Sequence, residues 1–173
     1  MNDTALFEAT VPVFRHYLQR IETLLTELPD EQEALLQVRL ADLAFSASEH
    51  LRTAVGFASR TVVPLTDRAM LETDGVEASR DGLILMTREI REQLAAVSAD
   101  DFGGATGRII RHVAGTAELS QDATTFVTMF MLPNFFFHFG MAFAILRQGG
   151  ADIGKEDFDG QHRYGAGFHF RVR

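Results

Sequence analysis

The chain has 173 residues, 46% of them apolar and 23% charged, with a formal net charge of −8, the composition of a single globular domain long enough to bury a core. The acidic balance excludes nucleic acid as a main partner, because phosphate binding needs concentrated Lys and Arg, and it disfavours attachment to anionic membranes. The absence of Cys removes disulfides, thiolate metal ligands and cysteine nucleophiles, and Lys155 is the only lysine that could form a Schiff base.

The first residues, Met1 to Glu8, carry neither a basic n-region nor an apolar h-region, so a cytoplasmic location is expected. Thr4 to Leu28 reads as a first helix, with Val13, Phe14, Tyr17, Leu18, Ile21, Leu24, Leu25 and Leu28 at helical spacing. Pro12 leaves two starts open: a helix capped by Thr10, or one from near Thr4 that bends at Pro12. Pro29-Asp30 ends it. A short helical turn, Glu31 to Gln37, leads to a second helix of about Leu43 to Val63 with Pro64 as its stop. A third helix, about Val76 to Ala96, takes Thr73 or Asp74 as cap. Gly82 falls in its middle, at a cost of about 1 kcal/mol relative to Ala.

Asp100 to Gly107 is turn chemistry, and Arg108 to Val113 and Ala117 to Ser120 form a small β-hairpin around Gly115. Ser120 or Asp122 caps a fourth helix. It runs through Pro133, where it should lose a hydrogen bond and bend, to about Gln148, and Gly149-Gly150 stops it. Gly154 to Phe158 makes one further turn, and residues 161–173 are a tail, extended or disordered. The pattern is all-α: a four-helix bundle over residues 1–160 with a β-hairpin before the last helix. Spacing alone does not choose between antiparallel and crossover topology.

From Phe126 to Leu146 the fourth helix contains only four clearly polar or special residues: Thr128, Pro133, Asn134 and His138. It is long enough to span a bilayer. Its central Pro, Asn and His, and the lack of positive charge beyond Arg147, favour a helix buried at the centre of the bundle instead, with no membrane partner. Asn134 and His138 lie four residues apart on one helix face, where they need polar partners.

The run Pro133-Asn-Phe-Phe-Phe-His138-Phe-Gly140-Met-Ala-Phe-Ala-Ile-Leu146-Arg147, continuing to Phe158, resembles an uncharacterised, domain-of-unknown-function branch of the DinB/YfiT-like superfamily. Phe7-Glu-Ala-Thr-Val-Pro-Val-Phe-Arg-His-Tyr-Leu18 and Arg39-Leu-Ala-Asp-Leu-Ala-Phe45 are similar to the same branch. The resemblance implies a DinB-like four-helix bundle of up-down-down-up topology, often a homodimer. Many relatives hold zinc or nickel with three histidines, one from the second helix and two at i and i+4 on the last. Some are thiol-dependent transferases, and one is an isomerase. His50 matches the second-helix ligand and His138 one of the last-helix pair. The position four before His138 is Asn134, and a carboxamide is a poor zinc or nickel ligand.

Two readings of these residues follow. In one, the metal site is degenerate: His50, Asn134 and His138 form a buried hydrogen-bond network, and a small apolar molecule binds between helices near Phe135, His138 and His50. In the other, a divalent metal is held by His50 and His138, with Asn134, Glu49 or water completing the shell, and the protein is an enzyme using a thiol co-substrate. Two matched ligands of three tip the balance to the first. His16, His112, His162 and His169 carry less. Glu72, Asp74, Asp100 and Asp101 read as caps, and Asp152, Lys155, Glu156 and Asp157 as a charged surface turn. Ser46, Ser48 and His50 lie close together but lack a matching acid for a hydrolase triad. No P-loop, dinucleotide fingerprint, His-Glu-x-x-His or nucleophile elbow is present.

Overall fold

Asn2 opens the first helix: its side-chain oxygen accepts from the Ala5 N–H at 2.8 Å, and α1 runs unbroken over Asp3–Glu27. The structure, a computed structural model, describes residues 1–70, 72, 73 and 75–165. Of the two starts left open for α1, the one through Pro12 is realised. Pro12 cannot bond the Glu8 carbonyl, but Glu8 is exposed, so water can serve that oxygen. Thr10 is buried inside the helix, and its hydroxyl donates to the Leu6 carbonyl at 2.6 Å.

A 3₁₀ turn, Asp30–Gln37, leads to α2, Ala47–Thr66. The helix starts later than expected because Ser46 and Glu49 form a reciprocal capping box. It also passes through Pro64. Only the bond from Pro64 itself is lost, since Asp67 N–H still reaches the Val63 carbonyl at 3.0 Å, and buried Leu65 anchors the final turn. The third helix, α3, spans Arg80–Ala95 with Ser79 as N-cap, so neither Thr73 nor Asp74 has that role; Asp74 itself lies outside the described residues. Gly82 therefore sits in the first turn, not the middle. A Cβ there would lie 2.6 Å from the Glu77 carbonyl oxygen.

Strands β1, Ile109–Ala114, and β2, Ala117–Asp122, pair antiparallel with Ala114 opposite Ala117. Gly115, at φ 62°, supplies the left-handed residue of the turn between them. Arg108 pins the base of the hairpin to the end of α2, donating to the Pro64 carbonyl at 3.0 Å and to both carboxylate oxygens of Asp67.

Asp122 caps the last long helix, α4, Ala123–Gln148. Residues Phe126–Met131 are wound as a π-helix, with Leu132 N–H bonding the Val127 carbonyl. A fresh α-helical segment begins at Leu132 and puts Pro133 in its first turn, where a missing N–H costs little. Gly150, at φ 101°, ends α4 in a Schellman motif: Ala151 N–H bonds Leu146 O and Gly150 N–H bonds Arg147 O. A final turn, α5, covers Lys155–Asp159.

α1 packs chiefly along α3, and α2 along α4. Between α1 and α3, buried Glu22 is taken by Arg88 and Arg91. α4 meets α1 through Phe135, which contacts Phe14 edge-on at 5.1 Å. The expectation that α4 is buried on every side is not met. Phe135, Phe139, Ala142, Ile145 and Leu146 are buried, but Met129 is 72% and Phe137 56% exposed. By length and composition alone α4 could cross a membrane, and 33% of its most apolar 18-residue window is buried in the fold. Residues 166–173, which include His169 and most of the alternation seen in the tail, lie outside the described residues.

Candidate functional site

The strongest helix pairing, α2 with α4, brings His50 and His138 together. Their Nδ1 atoms lie 2.9 Å apart, a hydrogen bond between two imidazoles. Both rings are held below the ordinary histidine range. Burial lowers His50, although Glu49 opposes it. Burial, then His50, then the Arg60 charge lower His138 to about 4. At neutral pH the pair is therefore uncharged. One ring donates from Nδ1 and keeps a lone pair at Nε2; the other accepts at Nδ1 and carries its proton at Nε2. Three phenylalanines enclose the pair: Phe45 at 5.5 Å from His50, Phe57 stacked on His138 at 5.8 Å, and Phe137 at 5.2 Å from His138.

Asn134 does not join them. Its Nδ2 donates to the Phe130 carbonyl at 2.7 Å, and so serves the backbone where the π-helix meets Pro133. Glu49 is also committed elsewhere. It accepts from Ser46 N–H at 2.7 Å and from Arg39 at 2.6 Å, and these bonds draw its pKa down to about 2. Ser46 and Ser48 bond each other at 3.0 Å. Among the described residues no group of three His, Cys, Asp or Glu side chains converges to hold a metal. The donor set at this point is two imidazole nitrogens, one short of a three-histidine centre, so these residues do not fit that site.

His138 also forms part of the wall of a cavity of about 640 Å³ between α2, the hairpin and α4. Phe57 and Arg60 come from α2, Arg111 and His112 from β1, and Phe130 and Asn134 from α4. Phe135 is in the core on the opposite side of α4 and takes no part in the wall, and His50 stands behind His138. His112 is the residue that sequence reasoning underrated. It bonds Gln121 Oε1 through Nε2 at 2.9 Å and packs on Phe130 at 4.5 Å. The alternation of β1 could have shown that His112 shares a face with Ile110, but not which helix that face covers.

The remaining candidates lie apart from this chamber. His16 bonds the Asp159 carbonyl at 2.8 Å. His162 pairs with the Asp159 carboxylate and meets Lys155 Nζ at 3.0 Å. Asp101 closes a capping box on Ser98 and pairs with Arg68.

A family model described as a domain of unknown function, DUF1993, matches residues 6–159. No curated protein matches the chain. The crystal structure of a DinB family member protein from Shewanella denitrificans is similar, with a TM-score of 0.77 and 23% identity over 95% of this chain and 97% of that one. At that identity the likeness establishes the fold, a DinB-like helical bundle with a hairpin before its last long helix.

Proposed function

This chain belongs to the DUF1993 family, an uncharacterised branch of the DinB-like superfamily, and we propose that it binds a small molecule in the cavity between α2, the hairpin and α4. The observation that carries this reading is the chamber itself. At about 640 Å³ it falls within the roughly 300–1,000 Å³ of ligand pockets. Its wall is mostly aromatic and aliphatic, with a few polar groups at fixed places, among them a neutral His138 held by His50. The two histidines stand as the remainder of a superfamily metal site.

The test is binding of a neutral fluorescent probe, N-phenyl-1-naphthylamine, to wild type and to Ala114→Trp, which fills the chamber from the hairpin. Saturable binding to wild type, lost in the variant with the circular dichroism unchanged, is the expected result. Equal binding to both proteins would place the probe elsewhere and sink the reading.

A second reading has one observation in its favour: two imidazole nitrogens from different helices already lie 2.9 Å apart. It makes the protein a divalent-metal-dependent enzyme of the thiol-transferase type, with His50 and His138 as ligands. Metal analysis of protein purified without a histidine tag decides it. Stoichiometric zinc or nickel, lost in both His50→Ala and His138→Ala, supports the metal enzyme; a wild type that neither retains nor takes up either metal refutes it.

A further inference from the structure

We infer that Lys155 is a site of acylation: its amine takes the acyl group of a small thioester, His162 accepts the protons that the amine gives up, and Asp159 orients His162. The three lie on α5 and the residues just after it, against α1, so the inference stands independently of the chamber. Lys155 is the one lysine of the chain. Its sequence neighbours read as a charged surface turn, but the fold gives that turn a built arrangement.

The turn is held firmly. His16 bonds the Asp159 carbonyl at 2.8 Å, Arg20 Nε donates to the Asp157 carbonyl at 3.3 Å, and Phe158 stacks on Phe139 at 4.4 Å. Gly160, at φ 69°, then reverses the chain. The N–H groups of Gln161 and His162 both reach the Asp159 carboxylate, at 2.8 and 2.9 Å. The His162 N–H above all, then the Gln161 N–H and the His162 ring, draw the Asp159 pKa down to about 2 against the opposing effect of burial. The carboxylate is therefore ionised where it meets His162 Nδ1.

An ammonium donates and cannot accept, so the 3.0 Å contact of Lys155 Nζ makes His162 Nε2 the acceptor. The ring proton then sits on Nδ1, the atom that faces Asp159. Both neighbours demand the same tautomer. A turn capped by a carboxylate would account for Asp159, but not for a lysine aimed at the far nitrogen of the imidazole that Asp159 holds. Lys155 is exposed and the His162 side chain is 45% exposed, so a small acyl donor has access to both. Glu156 and Asp157, the carboxylates next in sequence, are engaged by Arg163 and by the Gly154 N–H.

At neutral pH an ordinary lysine is a free amine in only about one molecule in a thousand. Here the ammonium proton has a receiver at hydrogen-bond distance. His162 Nε2 takes that proton and passes it to water. The amine nitrogen then bonds the acyl carbon, Nε2 takes the second proton, the carbon–sulfur bond breaks, and the second proton goes to the leaving thiolate. The products are an amide on Lys155 and a free thiol. A thiolate, with a pKa of about 8.5 against about 6.5 for imidazole, accepts that proton readily. A leaving phosphate does not need it, which favours thioesters over acyl phosphates.

The experiment incubates the protein at pH 7 with S-acetyl-N-acetylcysteamine and an N-blocked peptide containing one lysine, and follows both by peptide mass spectrometry. Lys155 is expected to acetylate at least about tenfold faster than the peptide lysine, at the low end of what a positioned acid–base group supplies because the site is open to water. His162→Ala should bring Lys155 to the peptide rate, with the circular dichroism unchanged, and added imidazole should restore part of the loss. Asp159→Asn should also slow the reaction, and Asp159→Glu should recover part of it. A wild-type Lys155 no faster than the peptide lysine overturns the inference, and so does a folded His162→Ala that reacts as fast as wild type.

Discussion

At the scale of the residue, the His50–His138 contact makes two side chains depend on one proton. His138 has its pKa lowered from 6.5 to about 4 by burial, His50 and Arg60. A base with a lowered pKa in the folded state binds fewer protons there than when unfolded, so stability must fall as pH drops from 6.5 towards 4 and level off below. Denaturant titrations of wild type across that range should show the loss, and His138→Ala should flatten it. That substitution also removes the hydrogen-bond partner that the buried His50 ring has among the described residues, which costs about 1–3 kcal/mol at pH 7. A variant as stable as wild type would show that the contact contributes nothing. His50 and His138 were legible as a pair through the family resemblance. The role of Asn134 was not, because its side chain turns back to the Phe130 carbonyl of its own helix instead of towards a partner helix.

At the scale of the element, most helix boundaries were set by side chains that sequence patterns weigh poorly. The apolar stripe of α2 reaches back to Phe45, but the Ser46–Glu49 capping box decides where the helix begins. Pro64 and Pro133 both read as breakers. One falls in a last turn held by burial of Leu65; the other falls in the first turn of a new α segment after the π-helix. Gly82 gives the sharpest test. By helix propensity, Gly82→Ala should stabilise α3 by about 1 kcal/mol. The Glu77 carbonyl, 2.6 Å from where the Cβ would sit, reverses the sign, and a net loss of about 1–3 kcal/mol is expected from the crowding. A rise in Tm for Gly82→Ala would refute the close approach.

At the scale of the whole molecule, α4 is buried against α1 and α2 on one side and leaves Met129 and Phe137 open on the other. Large exposed apolar side chains on one helix are a common mark of association. We propose that two copies of this chain associate through α4. Sedimentation equilibrium at micromolar concentration should report a dimer, and the double substitution Met129→Glu with Phe137→Glu should give a monomer of unchanged helicity. A wild type that sediments only as a monomer refutes the proposal.

The sequence by itself determined the class of fold and the order of its elements. Helical periodicity, the Gly115 turn and the Gly149-Gly150 stop are local, and the family motif lies along one helix. It also singled out His138, which stands in an apolar stretch where a polar side chain needs a partner, and His50, through the resemblance to the family's second-helix histidine. Only the tertiary structure decided what those partners are. Docking the hairpin on α2 and α4 brings His112, Phe57, Phe130 and His138 to one chamber. Asn134 bonds the Phe130 carbonyl of its own helix, and packing α2 on α4 leaves the two histidines to each other. The chamber and the histidine pair depend on contacts between segments far apart in the chain, which no local pattern encodes.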